Sequence, residues 1–464
     1  MRDQSISPRI DFVLFGGLLA AMLLAALDQT ITATALPSIV RDLGGLDDVT
    51  AVVTAYVVAA TATTPLWGKL SDRLGRRPVF QASLGLFLAA SAACGLAASI
   101  GELVAFRAVQ GAGAGGLMTL AWTVVADIVA PRQRGRYQAY IQATFAAASI
   151  AGPLLGGVFS DDLSWRWIFY VNLPLGLAAL VVLSTRLGAP RRRAADTPMD
   201  WRGAALLAAG VVALLLVCEL GGDALAWDSA GLIAIAVVAV AALAGFTAVE
   251  RRAADPVLPL RLVRARGFAL VCGALFLATC SLFAVTVFVP VFFQAAQGAS
   301  ATDSGVLLIP AMLGMTVSAI GAGALMTKTG VSKPFPVIGL AVMAGALSLL
   351  ATIDASTARG VVTAYTVVFG AGFGMVSSVL LVMLQNTIDR REMGTATAAT
   401  NLFRGFGGAV GTAVFGAVFA ASADTGSVAN AVGDVFAVAA PLAALGAVAV
   451  LAIPGARLRT ALDG

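Results

Sequence analysis

The chain has 464 residues, of which 59% are hydrophobic and only 12% charged. Soluble domains carry roughly a quarter charged residues, so a water-soluble fold is excluded by the core it would need, and lipid must solvate much of the exterior. Histidine is absent, which leaves no imidazole to relay protons or bind metal, and Cys94, Cys218, Cys272 and Cys280 lie in apolar runs at no metal-like spacing, as small buried hydrophobes do.

A membrane-spanning helix needs about 20 apolar residues, and the chain offers fourteen such runs. They are twice the length of a spanning strand and lack two-residue alternation, so a barrel is not expected. The first run, 12–36, follows Arg2 and Arg9 and outlasts the apolar core of a signal peptide, so an uncleaved first helix is expected. Within it stands Asp28, a charge that costs roughly 2.5–3.5 kcal/mol at the centre of a spanning helix and marks a functional candidate. Asp28 shares a face with Ala21, Ala25, Thr32 and Ala35; this stripe of small and polar residues suits a cavity wall or close helix packing. Asp28 is read either as a permanently paired carboxylate or as a group that takes up and releases a proton.

Runs 50–68 and 78–98 flank Gly68-Lys69-Leu70-Ser71-Asp72-Arg73-Leu74-Gly75-Arg76-Arg77-Pro78. Gly68 and Gly75 permit a tight turn, and Asp72 amid the cations can latch neighbouring helix ends in one conformation and release them in another. Run 101–125 contains Arg107, about eight residues from its outer end. Asp28 has a similar depth, roughly 12–13 Å at 1.5 Å per residue, so the two can pair. Asp127 follows, just before Pro131-Arg132-Gln133-Arg134-Gly135-Arg136, placed to pair with that segment or with Arg73 and Arg76 as part of an inner gate.

Run 137–159 carries Gly152-Pro153 and Gly156-Gly157. Proline removes a backbone donor and kinks a helix, so the motif reads as a gating bend or as close static packing. Run 166–186 is followed by 203–220 and 229–249, and Glu219, near the outer end of the former and close to Asp223, reads as interfacial unless that helix lines a pathway. The remaining runs are 268–293, 304–326, 335–352, 360–384, 402–422 and 433–453. Gln29, Thr32, Gln110, Gln142, Gln294, Gln385, Asn386 and Asn401 are polar groups on or beside these runs, available to a substrate or to helix–helix hydrogen bonds.

With the N-terminus inside, every basic residue except Arg41, Arg107, Arg166 and Arg359 falls in a cytoplasmic segment, so both termini are expected in the cytoplasm. The net charge of +5 is largely this bias and calls for no nucleic-acid partner. Polar links at 188–202 and 250–266 divide the chain into a six-helix bundle (1–187), a linker with an inserted helix pair (188–266) and a second six-helix bundle (267–464). A faint repeat supports related halves: Gly68-Lys69-Leu70, Gly75 and Pro78 are echoed by Gly323-Ala324-Leu325, Gly330 and Pro334, without the acidic residue.

The Gly68–Pro78 stretch resembles the signature loop of the major facilitator superfamily. Leu27-Asp28-Gln29-Thr30-Ile31 through Ala35-Leu36-Pro37, Arg107-Ala108-Val109-Gln110-Gly111-Ala112-Gly113, Gly152-Pro153-Leu154-Leu155-Gly156-Gly157, Trp165-Arg166-Trp167-Ile168-Phe169 with Asn172 and Pro174, and Phe403-Arg404-Gly405-Phe406-Gly407-Gly408 are similar to motifs of its fourteen-helix drug:proton antiporter family. Ala33-Thr34 departs from that pattern, which often has an asparagine there. The resemblance implies an all-α membrane fold of two six-helix bundles plus an inserted pair, not an enzyme. It implies alternating access, in which protons entering down their gradient drive apolar or cationic compounds out. Asp28 is then the proton carrier, tuned by Arg107, with Gly68, Asp72, Arg73, Gly75, Arg76 and Asp127 at the cytoplasmic gate. Export of one metabolite, antibiotic or lipid stays open, as does uptake, or a non-transporting receptor or scaffold. There is no G-x-x-x-x-G-K-[ST] loop for an ATP-driven pump, and no cofactor or metal is expected. Abundant alanine and arginine point to a GC-rich bacterial genome and a plasma-membrane setting.

Overall fold

A computed structural model of the chain describes all residues except 1–10, 45–48, 131–132, 189–198, 223, 424–426 and 454–464. Expectations attached to Arg2, Arg9, Pro131, Arg132, Arg191, Arg192, Arg193, Asp223, Arg457 and Arg459 therefore lie outside the described residues.

The protein is all-helical. Its long helices are α1 (Phe12–Leu43), α2 (Val49–Leu74), α3 (Arg76–Leu96), α4 (Ile100–Ile128) and α5 (Arg134–Val158). There follow α6 (Trp167–Arg186), stepped at Val171, α7 (Trp201–Leu220) and α8 (Ala230–Glu250). The set ends with α9 (Arg266–Val291), α10 (Ile309–Thr329), α11 (Pro334–Leu350), α12 (Arg359–Thr387), α13 (Met393–Ala423) and α14 (Val428–Leu451). Among the described residues, 13 helices are long and apolar enough to cross a membrane, and α11, at 17 residues, falls short. Asp11, Ser99, Asp200, Ser229 and Ser427 start their helices by accepting hydrogen bonds from first-turn amides. Val181, Val237, Val240, Val317, Leu445 and Val448 project outward, an apolar exterior that lipid solvates.

The helix packing repeats. In the first half α1 packs on α5 and α6, α4 on α2 and α3, and α3 on α6. In the second, α9 packs on α13 and α14, α12 on α10 and α11, and α11 on α14. Advancing each label by eight converts one set into the other. The seams between halves obey the same rule, since α2 lies along α13 and α10 along α5. The α7–α8 pair stands against α2 and α13.

Both seams are glycine crossings. A Cβ on Gly68 would stand 2.6 Å from the Gly394 carbonyl oxygen and 2.4 Å from the Ala398 Cβ, and one on Gly323 would stand 2.4 Å from the Gly135 carbonyl oxygen. Cross-seam hydrogen bonds include Gln142 Nε2 to Ser377 Oγ at 3.1 Å and Asn401 Nδ2 to Thr119 Oγ1 at 3.2 Å. These contacts gather toward the end of the bundle that carries the Gly68–Pro78 turn, so the halves are closed on that face.

Two expectations are corrected. Helix α13 begins at Met393 rather than near 402, so Arg404 stands three turns inside it, its guanidinium carbon 5.2 Å from the Trp122 ring centre. Arg404, expected in a cytoplasmic segment, is thus a second basic residue well inside a helix, beside Arg107. Helix α12 runs on to Thr387, which brings Gln385 and Asn386 into the buried helix. At the Gly152–Gly157 motif, helix α5 keeps its helical backbone through Pro153 to Val158 and ends in a π turn over Phe159–Leu163. A Cβ on Gly152 or Gly156 would stand 2.0 Å from Thr30 Oγ1 or Thr34 Oγ1, so these glycines admit α1; Gly157 has nothing within 4 Å.

Candidate functional site

Asp28 on α1 and Arg107 on α4 form an ion pair, Arg107 Nη1 to Asp28 Oδ2, with both side chains fully buried. Ala21, Ala25, Thr32 and Ala35 are buried on the same stripe of α1, so Asp28 points into the first bundle rather than at lipid. Its other oxygen, Oδ1, accepts from Gln110 Nε2 at 2.7 Å and from Asn172 Nδ2, on α6, at 2.9 Å. Both amides also donate to Ser91 Oγ of α3, at 3.2 and 3.0 Å, and Ser91 donates onward to the Phe169 carbonyl at 2.9 Å. Arg107 is held as firmly: Nη1 donates to Gln110 Oε1 at 2.8 Å and Nε to the Val52 carbonyl at 3.2 Å. The Tyr56 ring lies 4.2 Å from its guanidinium carbon, and the Tyr56 hydroxyl donates to the Ala25 carbonyl at 3.1 Å.

Helices α1, α2, α3, α4 and α6 thus converge on one buried ion-pair cluster. Removing two charges from water is expensive unless geometry and further hydrogen bonds compensate, and this cluster supplies three donors to Asp28. Arg107 Nη2 and Asn172 Oδ1, both buried, have no hydrogen-bond partner. Gln110 and Thr32, read from sequence as groups available to substrate, are sealed here. Gln110 is a ligand of Asp28, and Thr32 Oγ1 donates to the Asp28 carbonyl at 2.7 Å. Gln29 is half-buried. Gln294 Nε2 bonds to Ser304 Oγ at 2.9 Å within the second half, whereas Gln142 and Asn401 bridge the halves.

A second polar cluster closes the turn-bearing face. Asp72, at the end of α2, accepts from the Gly394 amide at 2.9 Å, and from the Thr395 amide and hydroxyl at 2.7 and 2.9 Å. The two amides are first-turn donors of α13, which its own helix cannot satisfy, so a carboxylate from one half caps a helix of the other, where the helix dipole favours negative charge. Arg76 ties Asp72 to Asp127: Nη1 meets Asp72 Oδ1 at 2.6 Å and Nε meets Asp127 Oδ2 at 2.8 Å. Gly75, with φ of 92°, makes the turn between α2 and α3. Lys69 and Arg73 both pair with Asp255, in the segment after α8. Glu219 is exposed one residue before the end of α7.

Sequence reasoning passed over Asn172 as a ligand of Asp28, along with Ser91, Tyr56, Asp255, Gly394 and Thr395. Asn172 lay within a recognisable motif, and the apolar setting of Ser91 was its one signal.

Two bundles with repeated packing and a sealed ion pair inside one of them define a membrane transporter of the major facilitator kind. Residues 18–412 match the Major Facilitator Superfamily, and the chain belongs to that family. It is therefore a multi-pass secondary transporter and not an enzyme. It is 38% identical over 406 residues to "Multidrug transporter protein MdtP" of Bacillus subtilis, an alignment covering 88% of this chain and 75% of that protein. It is likewise 38% identical over 414 residues to the uncharacterized MFS-type transporter Rv1877 of Mycobacterium tuberculosis, covering 89% of this chain and 60% of that one. The crystal structure of the human organic anion transporter MFSD10 superposes with a TM-score of 0.69 at 17% identity, covering 95% of this chain and 99% of that one, which shows the shared fold.

Proposed function

We propose that this protein is a proton-coupled antiporter of the fourteen-helix drug:proton type, exporting hydrophobic or cationic compounds by alternating access across a bacterial plasma membrane. In this reading α11 is the fourteenth span, both termini are cytoplasmic, and the Asp72 face is the cytoplasmic one. The proton gradient is the energy source, and no cofactor takes part. The observation that carries the reading is the sealed Asp28–Arg107 pair. While Asp28 is ionised, pair and hydrogen-bond network compensate one another. A proton on Asp28 cancels the charge that Arg107 faces and leaves a buried cation uncompensated, which is costly. The protonated protein relieves that cost by rearranging the packing of α1 and α4 and opening the site to the other side. A likeness to MdtP over most of the chain supports export.

The test is ethidium efflux from energised cells, wild type against Asp28→Asn, with and without a protonophore. Protonophore-sensitive efflux that Asp28→Asn abolishes supports the mechanism. If the wild type moves no dye, broad specificity is wrong and one dedicated substrate, or a non-transporting role, takes its place. If Asp28→Asn matches the wild type, Asp28 is not the carrier.

A further inference from the structure

At the base of the α7–α8 hairpin, apart from the Asp28 cluster, two carboxyl groups converge. Asp200 caps α7, its Oδ1 accepting from the Gly203 amide at 2.8 Å. Glu250 ends α8, is 4% exposed, and accepts from the Leu258 amide through Oε1 at 2.6 Å. The remaining oxygens, Asp200 Oδ2 and Glu250 Oε2, are both buried without a hydrogen-bond partner. Both lie against Gly203: a Cβ there would stand 2.3 Å from the first and 3.0 Å from the second. Two ionised carboxylates so placed would repel each other, and each would leave a desolvated oxygen unsatisfied. A single proton removes both penalties, because a carboxylic acid donates to the neighbouring carboxylate.

We propose that Asp200 and Glu250 form a second protonation site, a carboxyl–carboxylate pair that holds one proton and ties the start of α7 to the end of α8. Lys69 acts on Glu250 through space from α2, but its ammonium is paired to Asp255, as is Arg73. Arg202, in the first turn of α7, and Arg251 and Arg252, on the turn after α8, are exposed. The proton is therefore what reconciles the two acids. Asp255 follows Glu250 by one short turn of chain and grips the Gly68–Pro78 turn, so loss of the proton loosens the hairpin's hold on that turn. This site stands whatever compound the protein moves.

The experiment compares purified wild type, Asp200→Asn and Glu250→Gln by infrared difference spectroscopy across pH, following the carbonyl stretch of neutral carboxyl groups, with Asp28→Asn alongside to identify any band from the buried ion pair. At neutral pH the wild type should show a neutral-carboxyl band that both hairpin variants lose and Asp28→Asn keeps. Proton linkage adds a second readout. Wild type should lose a few degrees of melting temperature relative to Asp200→Asn as pH rises from mildly acidic to mildly alkaline, since the asparagine amide donates to Glu250 at every pH. A band that survives in both hairpin variants, or a melting difference flat with pH, overturns the proposal. So does selective stabilisation of the wild type by sodium or potassium at neutral pH, which would mark a cation site in place of a shared proton.

Discussion

Asp28 stands out in the sequence because a charge interrupts an apolar run, and Arg107 for the same reason. What holds them is less legible. Asn172 and Ser91 are uncharged, and uncharged polar groups in spanning helices are common; only the packing of α6 and α3 turns these two onto Asp28. The buried pair predicts an asymmetric response to mutation. Arg107→Ala strands a buried carboxylate with Gln110 and Asn172 as its remaining donors among the described residues, and breaking one side of a buried pair costs about 3–5 kcal/mol. Asp28→Asn strands the guanidinium at a comparable cost. The double variant, with neither charge left, should be more stable than the two losses summed, by at least about 1 kcal/mol. Thermal or denaturant unfolding of the purified protein reads this cycle, and additive losses would mean that the pair is solvated and interacts weakly.

At the level of elements, the faint echo of Gly68 by Gly323 acquires a physical cause. Each glycine sits where a helix of one half crosses the second residue of a helix of the other, Gly394 in α13 or Gly135 in α5. The repeat thus marks two equivalent seams. The absence of an acidic residue from the echo fits this: among the described residues, a carboxylate caps the opposing helix at the α2 seam alone. Gly394 and Thr395 escaped notice because the stretch from Arg390 to Asn401 is too polar to read as a span. It is helical from Met393 because α2 and α4 shield it, so hydropathy, which reports on lipid contact, gives no signal there. A bulky residue at either crossing should pry the halves apart. Gly68→Val or Gly323→Val should lengthen the distance between spin labels at Arg77 and Arg391 on the turn-bearing face, read by pulsed electron resonance, and Asp72→Asn should do so more weakly. Unchanged distances in both valine variants would show that the seams yield without separating.

The whole molecule is two similarly packed bundles clasped by α2 on α13 and α5 on α10, with the α7–α8 hairpin laid against the first of those seams. The all-helical class and the run of long apolar helices followed from apolar length alone; which helices meet across the middle did not, because those faces are lined by small residues that carry no periodic signal. Alternating access requires the clasp to open, and one position allows a direct test. The Cβ of a residue at 405 would lie 3.6 Å from the Thr61 Cβ, within the 3.5–4.5 Å that a disulfide spans, while Cys94, Cys272 and Cys280 are buried and Cys218 partly so. Thr61→Cys with Gly405→Cys should therefore oxidise readily and fix α2 to α13. Efflux should fall to the background of empty cells on oxidation and recover on reduction, and neither single variant should respond. If the cross-linked protein still transports, α2 and α13 move together, and the bundle opens along the α5–α10 seam instead.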